Sequence, residues 1–227
     1  MSSIISDSGL QFVDGNVITS AAAMPITGSF TTGNIVLNNV AANNAKLLGW
    51  KRLTTGASNV LNTDWLEITS GITLATSVAT TSGTLIDFTG IPSWARRITL
   101  SLVGFSTNGT AAYRIQLGTS LGVEITNYIG SYQLQGGVYV APNNLTAGFD
   151  LVSGAAANVT QGEIIISLQS ITTNTWTAMG MFGFSNTPAI DLVSGSKALA
   201  QTLDRVRLTT GNGTDAFDAG SVNISWE

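Results

Sequence analysis

Hydrophobic and polar residues alternate in many short segments of the chain after residue 72. Ile98, Leu100 and Leu102, for example, are separated by a threonine and a serine. Because side chains on a β-strand point alternately to the two faces of a sheet, this period predicts strands with one buried face. The same alternation recurs in the segments 113–117, 164–169, 205–208 and 222–226. Short strands at a spacing of about ten residues are typical of a β-sandwich or jelly roll.

Turn and helix signals complete the predicted fold class. Asn108-Gly109 separates two of the predicted strands, and Asn-Gly is the strongest short signal for a β-hairpin. Thr173-Asn174 predicts a second hairpin in the same way. Helical patterns are limited to one turn after Pro92 and to the segment 197–204. The chain is therefore predicted to be all-β, with a jelly-roll-like β-sandwich as its main domain.

The first 70 residues have a different pattern. Residues 1–45 contain a few hydrophobic side chains around the turn Asp14-Gly15-Asn16, which is too little for a core. We expect this segment to fold against other copies of itself. The following stretch predicts a hairpin that carries Trp50 and Trp65. The predicted organisation is an attachment and oligomerisation segment, a β-hairpin connector and a jelly-roll-like sandwich, at residues 1–45, 46–71 and 72–227.

Composition narrows the possible functions. The chain has no histidine and no cysteine, which excludes a Ser-His-Asp triad, a zinc finger and a disulfide framework. Charged residues make up 10% of it, against about 25% in ordinary soluble domains. A folded monomer of this size exposes about 9,800 Å², or about 450 Å² for each charged residue. This sparse charge predicts that copies of the chain cover much of its surface.

Charge and hydropathy also limit the partners. The net charge of −4 disfavours binding to nucleic acid. No run of apolar residues is long enough to span a bilayer, so no membrane insertion is expected. The first ten residues lack the pattern of a signal peptide, and we therefore expect synthesis in a cytoplasm.

Paired carboxylates are the remaining candidates for chemistry. Asp215 and Asp218 are three residues apart, as are Asp64 and Glu67. Residues at this spacing point to opposite faces of a strand, so neither pair is predicted to form a catalytic acid pair. Solvated acids in turns are the main interpretation, and a calcium site at Asp215 and Asp218 is the alternative. No catalytic residue, metal or cofactor is predicted.

All four tyrosines fall within 27 residues, at Tyr113, Tyr128, Tyr132 and Tyr139. The residues around the last three are mostly Gly, Asn, Ser and Gln, a mixture that binding loops favour. Tyr128, Tyr132 and Tyr139 are therefore the candidate receptor contacts, for a neutral glycan or a protein surface. Ordinary packing on strands is the alternative. Tyr113 shares a face with hydrophobic residues and is predicted to be in the core.

Three blocks of the sequence resemble bacteriophage fibre proteins. GLQFVDGNVITSAAA, at residues 9–23, is similar to a short element near the N-termini of such proteins. LIDFTGIPSWARRITLSLVGFSTNGTAAYRIQLG, at 85–118, and GTDAFDAGSVNISWE, at 213–227, resemble the β-rich distal domain of phage tail fibres. The resemblance implies a homotrimeric virion appendage that is often used to contact the host.

The expected function is accordingly a non-enzymatic structural component of a phage virion, a short surface-exposed tail fibre or receptor-binding protein. It would lie on the particle surface and bind other virion proteins through the N-terminal segment. A capsid-attached head fibre or decoration protein is the main alternative, because the chain is too short for a long tail fibre. A polysaccharide depolymerase and a bacterial adhesin are further alternatives.

Overall fold

The computed structural model describes residues 4–6, 9–11, 17–39, 47–69, 71–136, 140–152, 155–156 and 158–227. The chain divides into two compact units, Met1–Gly71 and Ile72–Glu227. The described residues form strands, turns and loops without any helix. The predicted all-β class is therefore confirmed.

The described residues of the N-terminal unit form one six-stranded sheet. Its strands are β1 (Ile4–Ser6), β2 (Gly9–Gln11), β3 (Val17–Ala21), β4 (Ile35–Asn38), β5 (Leu47–Arg52) and β6 (Trp65–Thr69). They follow one another across the sheet in chain order. Only β3 and β4 pair in parallel, and the other neighbours are antiparallel. The predicted segment 1–45 and the predicted hairpin 46–71 thus contribute strands to the same sheet.

A buried arginine stabilises the small core of this unit. Arg52 is fully buried and packs against the rings of Phe30 and Trp65, with its guanidinium carbon 5.8 and 5.2 Å from their centroids. Its guanidinium donates hydrogen bonds of 3.0 Å to the Asn59 side chain and to the Gly56 carbonyl oxygen. The Trp65 indole donates to the same Asn59 oxygen at 2.9 Å. Polar groups buried in this way keep their hydrogen bonds and so avoid the cost of desolvation.

In the C-terminal unit, the residues that the structure describes form fourteen strands in two sheets. In chain order they are β7 (Thr73–Leu74), β8 (Val78–Ala79), β9 (Leu85–Thr89), β10 (Arg97–Thr107), β11 (Tyr113–Thr119), β12 (Gly122–Val123), β13 (Tyr128–Gly136), β14 (Val140–Asn144), β15 (Phe149–Leu151), β16 (Thr160–Ser170), β17 (Thr175–Phe184), β18 (Ala189–Ala198), β19 (Arg205–Thr210) and β20 (Phe217–Trp226).

The two sheets form a β-sandwich around one hydrophobic core. The larger sheet has the order β14-β13-β18-β17-β16-β10-β20-β7, and β8 also pairs with β20. The smaller sheet has the order β12-β11-β19-β9, and β15 also pairs with β11. Inward residues of both sheets build the core, among them the alternating Ile98, Leu100 and Leu102 and the predicted core residue Tyr113.

The Asn108-Gly109 turn does not form the predicted hairpin. β10 pairs with β16 and β20 in the larger sheet, whereas β11 pairs with β12, β15 and β19 in the smaller one. The turn therefore carries the chain from one sheet to the other. A Cβ atom at Gly109 would lie 2.0 Å from the Asp215 carboxylate, so any other residue there would require the Asp215 side chain to move.

The other local predictions had mixed outcomes. Thr173-Asn174 does join two antiparallel neighbours, β16 and β17, and the predicted hairpin is confirmed. The predicted helical segment 197–204 is wrong, because its first two residues end β18 and the rest is loop. Leu199 and Leu203 are nevertheless buried in the core. Their burial accounts for a hydrophobic spacing that resembles one face of a helix.

Candidate recognition surface

Tyr128 lies on the inner face of β13, with 3% of its surface exposed. Its ring packs edge-on against Phe149, with 5.1 Å between the ring centroids. Its hydroxyl accepts a hydrogen bond from the Leu117 amide at 2.7 Å and donates one to the Glu124 carbonyl oxygen at 3.0 Å. Burial raises the pKa of this hydroxyl. The structure thus corrects the prediction for Tyr128, because a ligand at the surface cannot reach a ring inside the core.

The other two candidate contacts differ from Tyr128. Tyr132 is half-buried and packs against the edge of the core. Its hydroxyl accepts a long hydrogen bond, 3.5 Å, from the Asn143 side chain on the edge strand β14. Burial raises the pKa of Tyr132 as well. Tyr139 lies outside the described residues. A receptor contact at Tyr132 and Tyr139 stays a prediction.

An ion pair between a buried lysine and a partly exposed glutamate, which the sequence analysis missed, lies beside Tyr128. Lys197 is 3% exposed, and its Nζ is 2.5 Å from Glu124 Oε2 and 5.6 Å from the centre of the Tyr128 ring. The same Nζ donates to the Ala198 carbonyl oxygen at 2.8 Å, and Glu124 Oε1 accepts from the Ala200 amide at 2.8 Å. The pair lies at the end of the sandwich where β13 begins and β18 ends. Strand periodicity counted from Val193 would have placed Lys197 on the inner face.

Asp191 lies on the same inner face of β18, with 1% of its surface exposed. Within the described part of the chain, neither carboxylate oxygen has a hydrogen-bond partner at normal distance. Burial raises the pKa of Asp191 to about 8, although the nearby amides of Val152 and Leu192 act in the opposite direction. The carboxyl group is therefore largely protonated at neutral pH. Its role lies in the interior, and it is not part of a surface site.

The outer face of the larger sheet is apolar and free of charge over its β13, β18 and β17 strands. Hydrophobic residues are exposed there at Ile129, Met179, Met181, Ile190 and Leu192. The charged residues within these three strands, Asp191 and Lys197, both point inward. We call the outward side of β13, β18 and β17 the uncharged face.

The outer face of the smaller sheet has the opposite character, and we call it the charged face. Arg114 on β11 binds Asp150 on β15 with two hydrogen bonds of 2.7 and 2.8 Å. Arg207 on β19 binds Asp87 on β9 with two bonds of 2.7 Å. Paired guanidinium and carboxylate groups of this kind are geometrically specific. These bonds raise the pKa of both arginines.

A shallow groove runs along the charged face and is lined by Thr84, Leu85, Gln116, Thr209 and Asn212.

The acids at the C-terminal turn serve the local structure. Asp215 accepts hydrogen bonds from the Ala111 amide at 2.9 Å and from the Asn212 side chain at 2.7 Å. Asp218 accepts a short hydrogen bond from the Ser106 hydroxyl. The described residues contain no group of three or more acidic, histidine or cysteine side chains that could hold a metal. Hydrogen bonds from protein donors thus engage both carboxylate oxygens of Asp215 and one of those of Asp218.

Asp64 is likewise a structural acid, and the interpretation as a solvated turn residue is corrected. It is 5% exposed and accepts hydrogen bonds from the Thr54 and Ser58 hydroxyls, at 2.6 and 2.7 Å, and from the Val60 amide at 3.0 Å. These bonds lower the pKa of Asp64 to about 2. Glu67 is half-buried in β6.

Comparison with protein-family models, with curated proteins and with solved structures finds no match to the chain. No helix among the described residues has the length and hydropathy needed to cross a membrane.

Proposed function

We propose that the chain is a non-enzymatic structural component of a phage virion, a short surface-exposed tail fibre or receptor-binding protein. The resemblance of residues 9–23, 85–118 and 213–227 to fibre proteins motivates the proposal. An all-β architecture with a large sandwich after a small N-terminal unit is compatible with an anchor followed by a distal domain. The chain would lie on the particle surface after synthesis in the host cytoplasm.

The observation that carries the proposal is the imbalance between the two cores. In the described part of the N-terminal unit, the core cluster consists of Val36, Trp50 and Trp65. Hydrophobic residues on the same unit remain exposed, among them Leu37, Leu48 and Val60. A core this small supplies little stability by itself, so the unit gains from contact with partners. Copies of the chain in a homotrimer and other virion proteins are the partners that we propose.

The proposed host contact is on the sandwich. Tyr132, at the β13–β14 edge, and the polar groove of the charged face are the surfaces that a neutral glycan or a host protein could bind. Hydrogen-bonding side chains on rigid strands present a preorganised site at low entropic cost. The acidic net charge disfavours a strongly anionic ligand.

Labelling of particles tests the virion location. Antibodies against residues 72–227 are applied to particles purified from cells that produce the chain, and labels are located by electron microscopy. Labels at the tail are the expected result. Labels on the capsid would support the alternative of a head fibre or decoration protein. Detection of the chain only in the soluble fraction, with no labelled particle, would contradict the proposal.

Light scattering tests the homotrimer separately. We expect a mass three times the 23.5 kDa of one chain at micromolar concentration. A stable monomer at that concentration would contradict the proposed assembly, whatever the particle labelling shows.

A further inference from the structure

We infer that the uncharged face of the sandwich, on β13, β18 and β17, is covered by further copies of this chain in the assembled protein. This inference rests on the self-assembly in the proposed function, and is independent of where the assembly is located.

The first argument is the amount of exposed apolar surface in one place. Met179 and Met181 on β17 are 66% and 63% exposed. On the flanking strands, Ile129, Ile190 and Leu192 are 70%, 47% and 36% exposed. Strand register brings Met179, Met181, Ile190 and Leu192 together, because Met181 lies directly opposite Leu192, whereas Ile129 lies opposite Ser196 at the end of the same face. Contiguous apolar patches of this kind on soluble proteins mark interaction sites.

The second argument is charge, which selects the partner. Every outward position of the described strands β13, β18 and β17 is uncharged, and the nearest outward charges on the same sheet are Glu163 on β16 and Arg97 on β10. A partner that buries this face must itself be neutral there, since an unpaired charge is costly to bury. In a sequence with 10% charged residues, another copy of the same chain supplies such a surface.

The third argument is area. The three strands of the uncharged face have 9–10 residues each. With strands about 4.8 Å apart and about 3.3 Å for each residue, they present a face of roughly 14 by 33 Å, about 480 Å². Two such faces in contact bury about 960 Å² in total, close to the roughly 1,000 Å² that a specific interface needs. The uncharged face therefore supplies most of the area that an interface between copies requires.

The side chains on the face also suit this role. Around the five apolar residues lie Ser, Thr, Gln and Gly, which can pair with their counterparts without a charge. Methionine adapts its shape to a facing surface and is common at interfaces. The uncharged face therefore presents both apolar side chains and uncharged groups that can form hydrogen bonds.

Thiol labelling tests the inference directly, because the chain has no cysteine of its own. Met179→Cys introduces one thiol on β17, in the apolar part of the uncharged face. Ser194→Cys does the same with a smaller change, opposite Met179 in register. Leu85→Cys is the matched control, since Leu85 is 48% exposed on the charged face. The full-length variants are checked by circular dichroism and light scattering, and are then treated with a maleimide in native buffer and in denaturant.

We expect the thiols of Met179→Cys and Ser194→Cys to react at least about tenfold more slowly than that of Leu85→Cys in native buffer. In denaturant all three should react at the same rate. A protein that is trimeric, with thiols on both faces equally reactive, would overturn the inference and leave the proposed function standing. A monomer with all thiols reactive would overturn both the inference and the proposed homotrimer.

Discussion

Asp191 and Asp150 show how one residue type has opposite roles in two places. Both precede the same four residues, Leu-Val-Ser-Gly, and both are buried. Asp150 is paired with Arg114, whereas Asp191 is largely protonated in the core. The repeated pentapeptide therefore carries no shared function. Asp150 lies on β15 of the smaller sheet, whereas Asp191 lies on β18 of the larger one.

We predict that Asp191 makes the sandwich less stable at alkaline pH. Its pKa is about 8 in the folded chain and 3.8 when unperturbed, so the folded state holds the additional proton between these values. Its contribution to stability is complete below about pH 4 and falls by up to about 1.4 kcal/mol per pH unit until about pH 8. Asp191→Asn, which imitates the protonated acid, should remove this loss.

Thermal unfolding between pH 5 and pH 9 tests this prediction. The melting temperature of Asp191→Asn should exceed that of the parent increasingly as the pH rises. Asp150→Asn is the control, and it should be destabilised because Arg114 then loses its ionic partner. If the parent and Asp191→Asn have parallel pH profiles, Asp191 is not the group responsible.

At the scale of strands, the alternation of hydrophobic and polar residues predicted the positions of strands accurately. Turn sequences predicted less well which strands pair with each other. The Ile98–Leu102 and Tyr113 segments lie on strands with the expected inward faces. The hairpin predicted at Asn108-Gly109 was wrong. A turn signal depends only on neighbouring residues, whereas the sheet that a strand joins depends on pairing with strands far away in the sequence. The prediction that Tyr128 is a surface contact was wrong because Tyr128 and Ile129 are adjacent and both can be buried. A strand can turn either of these two residues toward the core, and here Ile129 faces outward.

β13 is tied to β11 across the sandwich by the Tyr128 hydroxyl, and we predict that this contact stabilises the fold. Tyr128→Phe would leave the buried Leu117 amide without its acceptor, at a cost of about 1–3 kcal/mol. Tyr132→Phe is the control, because its hydroxyl makes only the long bond to Asn143. Its effect should stay within about 0.5 kcal/mol. Urea unfolding of both variants gives the measurement, and equal losses would contradict the assigned role of Tyr128.

At the scale of the whole molecule, neither the border of the units nor the uncharged face was foreseen in full. The sequence predicted domain boundaries near residues 45 and 71, and the division between the two compact units along the chain coincides with the second. The boundary at residue 45 was predicted because residues 1–45 contain few hydrophobic side chains. In the structure, β4 before this position pairs with β5 after it, so both belong to one unit. The apolar outer face was missed because alternation identifies one buried side of a strand and assigns the other side to solvent. Met179 and Met181 are hydrophobic on that second side.

The border between the units predicts how the chain tolerates truncation. Removing residues 1–71 leaves every strand of the sandwich in place, so the remaining protein should unfold cooperatively, with a near-parental melting temperature. Removing residues 1–45 deletes β4 and leaves β5 and β6 without the neighbour that helps to bury Trp50, so this variant should aggregate or be degraded. Circular dichroism, solubility measurements and limited proteolysis compare the two truncated variants.

Both variants lack the proposed attachment segment and should be absent from particles. A soluble, protease-resistant variant without residues 1–45, beside an unfolded one without 1–71, would show that the sandwich depends on the hairpin at 46–71.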